Sequence, residues 1–243
     1  MNGVLFGEKH SFRDWGLYLK SRPEISPPSP KTVYIDLPGS DGQIDLTESL
    51  TGEVKFKNRT IKCEFAVVNA RERWSDIYSE IMDYLHGQRV KIIFDEDPFY
   101  YYVGRAEINE WKSDKVTSTL VIEANVEPYK LELISSLEDW TWDDFNFNTG
   151  VIRDWKELQV DGKRTIVAVG TRKSVIPVIT VKSDNGNGIK YSHKGSTIVS
   201  GIVLPDGVNR NPDIVYKAGE TVVTLEGHGI VSVSYTHLRA HET

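Results

Sequence analysis

The chain has one cysteine in its 243 residues, two methionines, and no apolar run long enough to span a membrane as a helix. A lone Cys63 excludes an internal disulfide. It alternates with Ile61, Phe65 and Val67, the pattern of a small buried hydrophobe rather than a nucleophile. The N-terminus lacks a charged segment followed by an apolar one, so the chain is expected to be made and folded in a cytoplasm. Without a secretory signal, the sequon Asn58-Arg59-Thr60 carries no meaning as a glycan site. A basic footprint for nucleic acid is also missing. Lys and Arg number 29 against 35 Asp and Glu, for a net charge of −6. No phosphate-cradling Gly loop, dinucleotide fingerprint or Gly-x-Ser-x-Gly elbow occurs. No cofactor or metal is expected, and the parts of an enzyme are not there.

What is present is ample apolar material, 39% of residues, in alternating patterns. Arg22 to Leu50 is the most distinctive stretch. Pro23, Pro27, Pro28 and Pro30 each fix φ near −65° and lack an N–H, so Arg22–Pro30 reads as an extended, stiff arm. The arm is either a loop between two strands or a reach onto a neighbouring subunit. It runs into Lys31–Leu37, where Val33, Ile35 and Leu37 alternate with Tyr34 and Asp36 as in a half-buried strand. Pro38-Gly39-Ser40-Asp41-Gly42 turns the chain.

Before the arm, Trp15, Leu17 and Leu19 suggest a strand anchored by the tryptophan. After it, 53–57 and 61–67 read as a hairpin with one wet face. One helix is expected at about 70–86, with Asn69 as cap and Glu72 in a capping-box-like position. Trp74, Ile77, Tyr78, Ile81, Met82 and Leu85 form its apolar stripe and Gly87 its stop. Strands at 90–94, 99–111 and 116–124 complete an α+β unit of mostly β character over residues 1–134.

From 135 to 235 the pattern becomes short strands and turns: 165–170, 175–182, 188–191, 197–204, 214–216, 220–225 and 230–235. Asp161-Gly162, Asn185-Gly186, Asn187-Gly188 and Asp206-Gly207 supply turn chemistry. This argues a β-sandwich of the jelly-roll sort, so the whole chain is expected to be mainly β. The last octapeptide, 236–243, is out of keeping with the strand before it and resembles translated adapter sequence. It is set aside from fold reasoning.

The cluster Asp139-Trp140-Thr141-Trp142-Asp143-Asp144, with Trp155 beyond it, is the one place where chemistry could be sought. Paired carboxylates beside aromatics are what a glycosidase uses. Carboxylates adjacent on a strand point apart, however, so Asp143 and Asp144 are poor partners for one bond. Two readings remain: non-catalytic sugar contact by Trp140, Trp142 and Trp155, or packing at the domain junction.

Phe6-Gly7, Ser11, Asp14-Trp15-Gly16-Leu17, Arg22-Pro23, Pro30-Lys31, Pro38-Gly39, Asp41-Gly42 and Asp45-Leu46-Thr47-Glu48 occur in that order. This run resembles the start of the distal tail proteins of long-tailed, non-contractile phages and prophages of Gram-positive hosts. The resemblance covers the first fifty residues in detail and the rest in outline. It implies a homo-oligomeric ring, typically a hexamer, at the tip of the tail tube, serving as hub for baseplate or tail-tip proteins. It also implies a ring-forming first domain and a galectin-like or carbohydrate-module-like second half. The implied partners are the tail tube protein, a tail-associated lysin or tail-tip protein and a receptor-binding protein. DNA would only pass through the bore, no membrane would be engaged, and the location would be the virion. The alternative is a carbohydrate-binding protein acting through the C-terminal sandwich.

Overall fold

A computed structural model of the chain describes residues 3–67, 73–113, 118–133, 155–170, 174–217, 219–234 and 238–239. The chain divides into two compact units, Met1–Lys130 and Leu131–Ala240. It is mainly β, with one α-helix among the described residues.

The first unit is an antiparallel sheet with the helix packed on it. Its strands are β1 (Val4–Phe6), β2 (Lys9–His10), β3 (Leu17–Leu19), β4 (Glu24–Ile25), β5 (Tyr34–Asp36), β6 (Gln43–Asp45), β7 (Arg59–Val67), β8 (Arg89–Phe94), β9 (Tyr100–Ser113) and β10 (Ser118–Val126). The main sheet runs β2-β1-β8-β9-β10-β7-β3, with β4 also on β7. On β7, Ile61, Cys63, Phe65 and Val67 are buried, as their alternation predicts. Helix α1 (Trp74–Leu85) buries Trp74, Ile77, Ile81 and Leu85, one stripe at helical spacing. At roughly 2 kcal/mol for each apolar side chain buried, this stripe is what holds the helix down. Tyr78 packs its ring 4.8 Å from Trp111 of β9. Gly87 has φ 72°, the left-handed stop expected after the helix. The expected cap at Asn69 and Glu72 lies outside the described residues.

Two expectations for this unit are corrected. Residues 53–57 do not form a hairpin with 61–67. Phe56 bridges Pro30 instead, so this stretch runs beside the proline arm. Tertiary pairing decides which partner an alternating segment takes, and here the arm lies closer than β7. Trp15, expected on a strand, sits in the turn before β3, 1% exposed against Phe6 and Tyr84.

The short strand β11 (Lys130–Glu132) stands at the boundary of the units. The second unit contains β12 (Leu158–Gly170), β13 (Val178–Ser183), β14 (Ile189–Lys194), β15 (Ile198–Leu204), β16 (Gly207–Asn209) and β17 (Gly219–Ser234). The sheet order is β15-β14-β17-β13-β16, with β12 lying along β17 for its whole length. β17 replaces two expected strands, 220–225 and 230–235. Gly227 and Gly229 lie between them at φ 143° and 145°, and the strand continues through both, paired with β12 without a register shift. Its first half pairs β14 and its second half β13, so one strand serves both ends of the sheet. Trp155, Leu158, Ile179, Tyr191, Tyr216, Val223 and Val231 are among the residues of its core. Of the final octapeptide, Leu238–Arg239 form a two-residue strand and the rest lies outside the described residues.

Candidate functional site

The proline arm is built into its own chain. Prolines donate nothing, so pairing falls to the residues between them. Glu24 and Ile25 pair with Lys62 and Ile61. Ser26 N donates to the Thr60 carbonyl at 3.0 Å, and Thr60 N returns a bond to Ser26 Oγ at 2.9 Å. Lys57 N donates to the Ser29 carbonyl at 2.8 Å and Lys31 N to that of Lys55 at 2.7 Å. The arm is thus an edge of the sheet. Its side chains still face outward: Arg22, Pro27 and Pro30 are exposed, and Pro23 and Pro28 half-buried. Arg22 Nε reaches Glu96 at 3.0 Å.

The arm delivers the chain into β5 and β6, which form a two-stranded sheet of their own with Tyr34↔Asp45, Ile35↔Ile44 and Asp36↔Gln43 opposite one another. Strand alternation puts Val33, Ile35, Leu37 and Ile44 on one face and Tyr34, Asp36, Gln43 and Asp45 on the other. The strand expected here is real, and its apolar residues keep about half of their surface in water. Val33 is 52% exposed, Ile35 46%, Leu37 45% and Ile44 45%. Leu50, just beyond, is 96% exposed. A two-stranded hairpin is marginal in water by itself. Local bonds support this one: Gln43 Nε2 to Asp36 Oδ1 at 2.9 Å, Val33 N to Thr47 Oγ1 at 3.1 Å and Leu46 N to the Val33 carbonyl at 2.8 Å. Between Lys31 and Lys55 there is no cation, while Asp36, Asp41, Asp45, Glu48 and Glu53 carry negative charge. Hydrogen bonds from Thr47 hold the Asp45 carboxyl below its ordinary range. The hairpin is an acidic tongue with its aliphatic side about half in water.

Sequence reasoning did not distinguish this face from a covered one, since period-two alternation does not say whether anything lies against it. It also missed two buried histidines. His10 Nε2 lies 3.2 Å from both Asp95 oxygens, and its Nδ1 accepts from Phe12 N and Arg13 N. His193 is 2% exposed within the second unit. Nothing local in sequence flags either contact to a distant partner.

Of the three tryptophans considered for sugar contact, Trp155 is 7% exposed and packs in the second core. Trp140 and Trp142, with Asp143 and Asp144, lie outside the described residues. The loop 184–188 closes as a turn, with Asn187 N donating to Asn185 Oδ1 at 3.2 Å. Among the described residues, no group of three His, Cys, Asp or Glu side chains is placed to hold a metal ion. An open hollow of about 500 Å³ on the first unit is lined by Asn58, Arg89, Arg105, Glu107, Asn125 and Glu127, with its two arginines already engaged by Glu127 and the Gly87 carbonyl.

No protein-family model matches the sequence, and no curated protein matches it. Among solved structures the chain has a fold found in the adsorption apparatus of phages that infect Gram-positive bacteria. The structure in question is SPP1 Dit (gp 19.1), described as a paradigm of the hub adsorption apparatus in such phages. It is similar with a TM-score of 0.63 at 12% sequence identity, over 98% of this chain and 99% of that one. This likeness establishes the fold.

Proposed function

We propose that the protein is a structural component of a long-tailed phage tail, forming a ring at the distal end that serves as hub for tail-tip assembly and host attachment. The observation that carries this reading is the likeness to SPP1 Dit across the full length of both chains. The order of residues from Phe6 to Glu48 that resembles distal tail proteins supports it independently.

The mechanism is one of shape. A ring closes when one surface of a subunit meets a different surface of the next and the rotation returns to the start. The exposed apolar side of the 33–44 hairpin, beside the outward prolines of the arm, is the surface offered for that contact. Six copies are the expected number. The ring would continue the tail tube, and an acidic lining, in keeping with a net charge of −6, would let DNA pass without trapping it. The second unit would hold or neighbour the receptor-binding protein, and the tail tube and tail-tip proteins would occupy the two faces of the ring. The protein would be made in the host cytoplasm and reside in the virion.

Negative-stain imaging of the purified full chain tests the reading. Rotationally symmetric particles with a central opening wide enough for duplex DNA are expected. Compact particles without an opening at every concentration would contradict it.

A further inference from the structure

Beside the outermost strand β3 lies an open hollow of about 410 Å³, lined by Phe12, Arg13, Gly16, Tyr18, Arg73 and Ile77. Phe12 and Tyr18 are half-buried and meet edge to face, their ring centroids 4.5 Å apart, which gives the hollow an apolar wall. The carboxylates of Asp14 and Glu80 also reach it, and both are already engaged. Asp14 Oδ2 accepts from His10 N at 2.6 Å, and Glu80 Oε1 accepts from Lys9 Nζ and Trp15 Nε1. Arg13 and Arg73 are exposed, and their side chains have no hydrogen bond or ion pair among the described residues. The charge on offer in the hollow is therefore positive.

The 33–44 hairpin has the complementary make-up. Val33, Ile35, Leu37 and Ile44 keep about half of their surface in water. Asp36 accepts from Gln43 and Asp45 from Thr47, so these two acids are held within the hairpin. The carboxylates of Asp41, in the turn, and Glu48, just beyond the second strand, have no partner among the described residues. An aliphatic surface edged by free carboxylates suits an aromatic hollow edged by free guanidinium groups, which bind carboxylates through paired N–H donors.

The two surfaces stand at opposite ends of β7. The arm pairs with Ile61 and Lys62 and then passes Lys57 and Lys55 before the hairpin begins. The hollow flanks the other end, where Tyr18 and Leu17 pair with Ala66 and Val67. At about 3.3 Å per residue, the length of β7 puts roughly 25 Å between them. A hairpin of three residue pairs, fixed beyond the Arg59 end, does not fold back over that span, so it can fill only the hollow of another copy.

On the ring reading given above, we infer that the hairpin of one copy docks in the Phe12–Tyr18 hollow of the next. Its aliphatic side lies against the two rings, and Asp41 and Glu48 meet Arg13 and Arg73. Each subunit thus carries one tongue and one hollow, the two different surfaces that a closed ring requires.

Sedimentation of the full chain and two variants tests the docking. Ile35→Ser with Ile44→Ser spoils the tongue and leaves the hollow; Arg13→Glu with Arg73→Glu spoils the hollow and leaves the tongue. Each variant alone should be a monomer that melts as the wild-type subunit does. Mixed in equal amounts, they should form a species of twice the 27.5 kDa chain mass and nothing larger, because one intact tongue meets one intact hollow and no second pair remains. Arg13→Gln with Arg73→Gln, which removes charge without adding repulsion, should raise the concentration for half-assembly about tenfold. An Arg13→Glu, Arg73→Glu variant that assembles as the wild type does, or a mixture that stays monomeric, would overturn the docking and leave the ring reading standing. A wild type that is a monomer at every concentration would overturn both.

Discussion

Ile35 and Ile44 stand directly opposite one another across a two-stranded hairpin, and each leaves nearly half its surface in water. Directly paired apolar side chains stabilise a hairpin modestly. Leaving four aliphatic side chains open on one face has no benefit for an isolated subunit. The face makes sense when another surface covers it.

Replacing Ile35 and Ile44 with Ser therefore separates assembly from folding. Surface substitutions of this kind change subunit stability by roughly 0.5 kcal/mol or less. The expected result is an unchanged thermal melt for the isolated subunit and loss of the higher-order species in sedimentation. A melt lowered by several degrees would mean that the hairpin already belongs to the subunit core.

Cys63 offers a clean report on the first unit. Its side chain is 1% exposed, and burial pushes the thiol pKa up to about 12. The thiolate is the reactive form, so the native protein should resist a thiol reagent at pH 8, while denatured protein reacts at once. Labelling should follow the global unfolding of the first unit as denaturant is added. Rapid labelling without denaturant would contradict the burial of β7.

Two glycines with positive φ should behave differently when given a methyl group. At Gly229, φ 145°, a Cβ would come within 2.4 Å of the Lys182 carbonyl oxygen, and β17 cannot yield there without losing β13. Gly229→Ala should cost roughly 3 kcal/mol, in the range of backbone strain combined with overpacking. At Gly186, φ 72°, nothing lies within 4 Å. Gly186→Ala should cost only about 1 kcal/mol, the price of the left-handed backbone alone. Chemical denaturation of the two variants decides; equal effects would argue that β17 is not continuous through 227–229.

Acid should act in two stages. The first is His193, 2% exposed, whose pKa burial lowers, so the folded chain holds it neutral and loses stability as pH falls below about 6.5. The second involves Glu64, Glu80 and Glu226, whose carboxyls are held below their ordinary range by hydrogen bonds from Lys20, Lys9 and Lys190. Their folded pKa values are depressed, so their contribution is present above about pH 4.5 and lost as pH falls through those values. The melting temperature of His193→Gln should be flatter than that of the wild type from pH 7 to 5. Both should then decline below about pH 4.5. A wild-type curve without the first decline would show that burying His193 costs nothing on protonation, and one without the second that these exposed pairs contribute nothing measurable.

What was legible in the sequence was local periodicity. Trp74, Ile77, Ile81 and Leu85 announced one buried helical stripe, and Ile61 to Val67 announced a strand with one dry face. Gly87 marked the helix end because left-handed backbone favours glycine. Pairing was less legible. Phe56 meets Pro30 rather than β7, a choice made by where the arm lies in three dimensions. The strands expected at 220–225 and 230–235 are one continuous strand that passes through Gly227 and Gly229. The His10–Asp95 contact spans 85 positions, which no local pattern records. The arm was legible as extended chain from its prolines, but alternation alone could not tell that half of the apolar surface on the hairpin beyond it stays in water.

Light scattering on a sizing column, with the full chain loaded over a hundredfold range of concentration, tests the central claim most directly. The chain has a mass of 27.5 kDa. The ring reading predicts one sharply defined species of about six times that mass, which the Ile35→Ser, Ile44→Ser double variant does not form. A monomer that persists at the highest concentration, identical in wild type and variant, would contradict it.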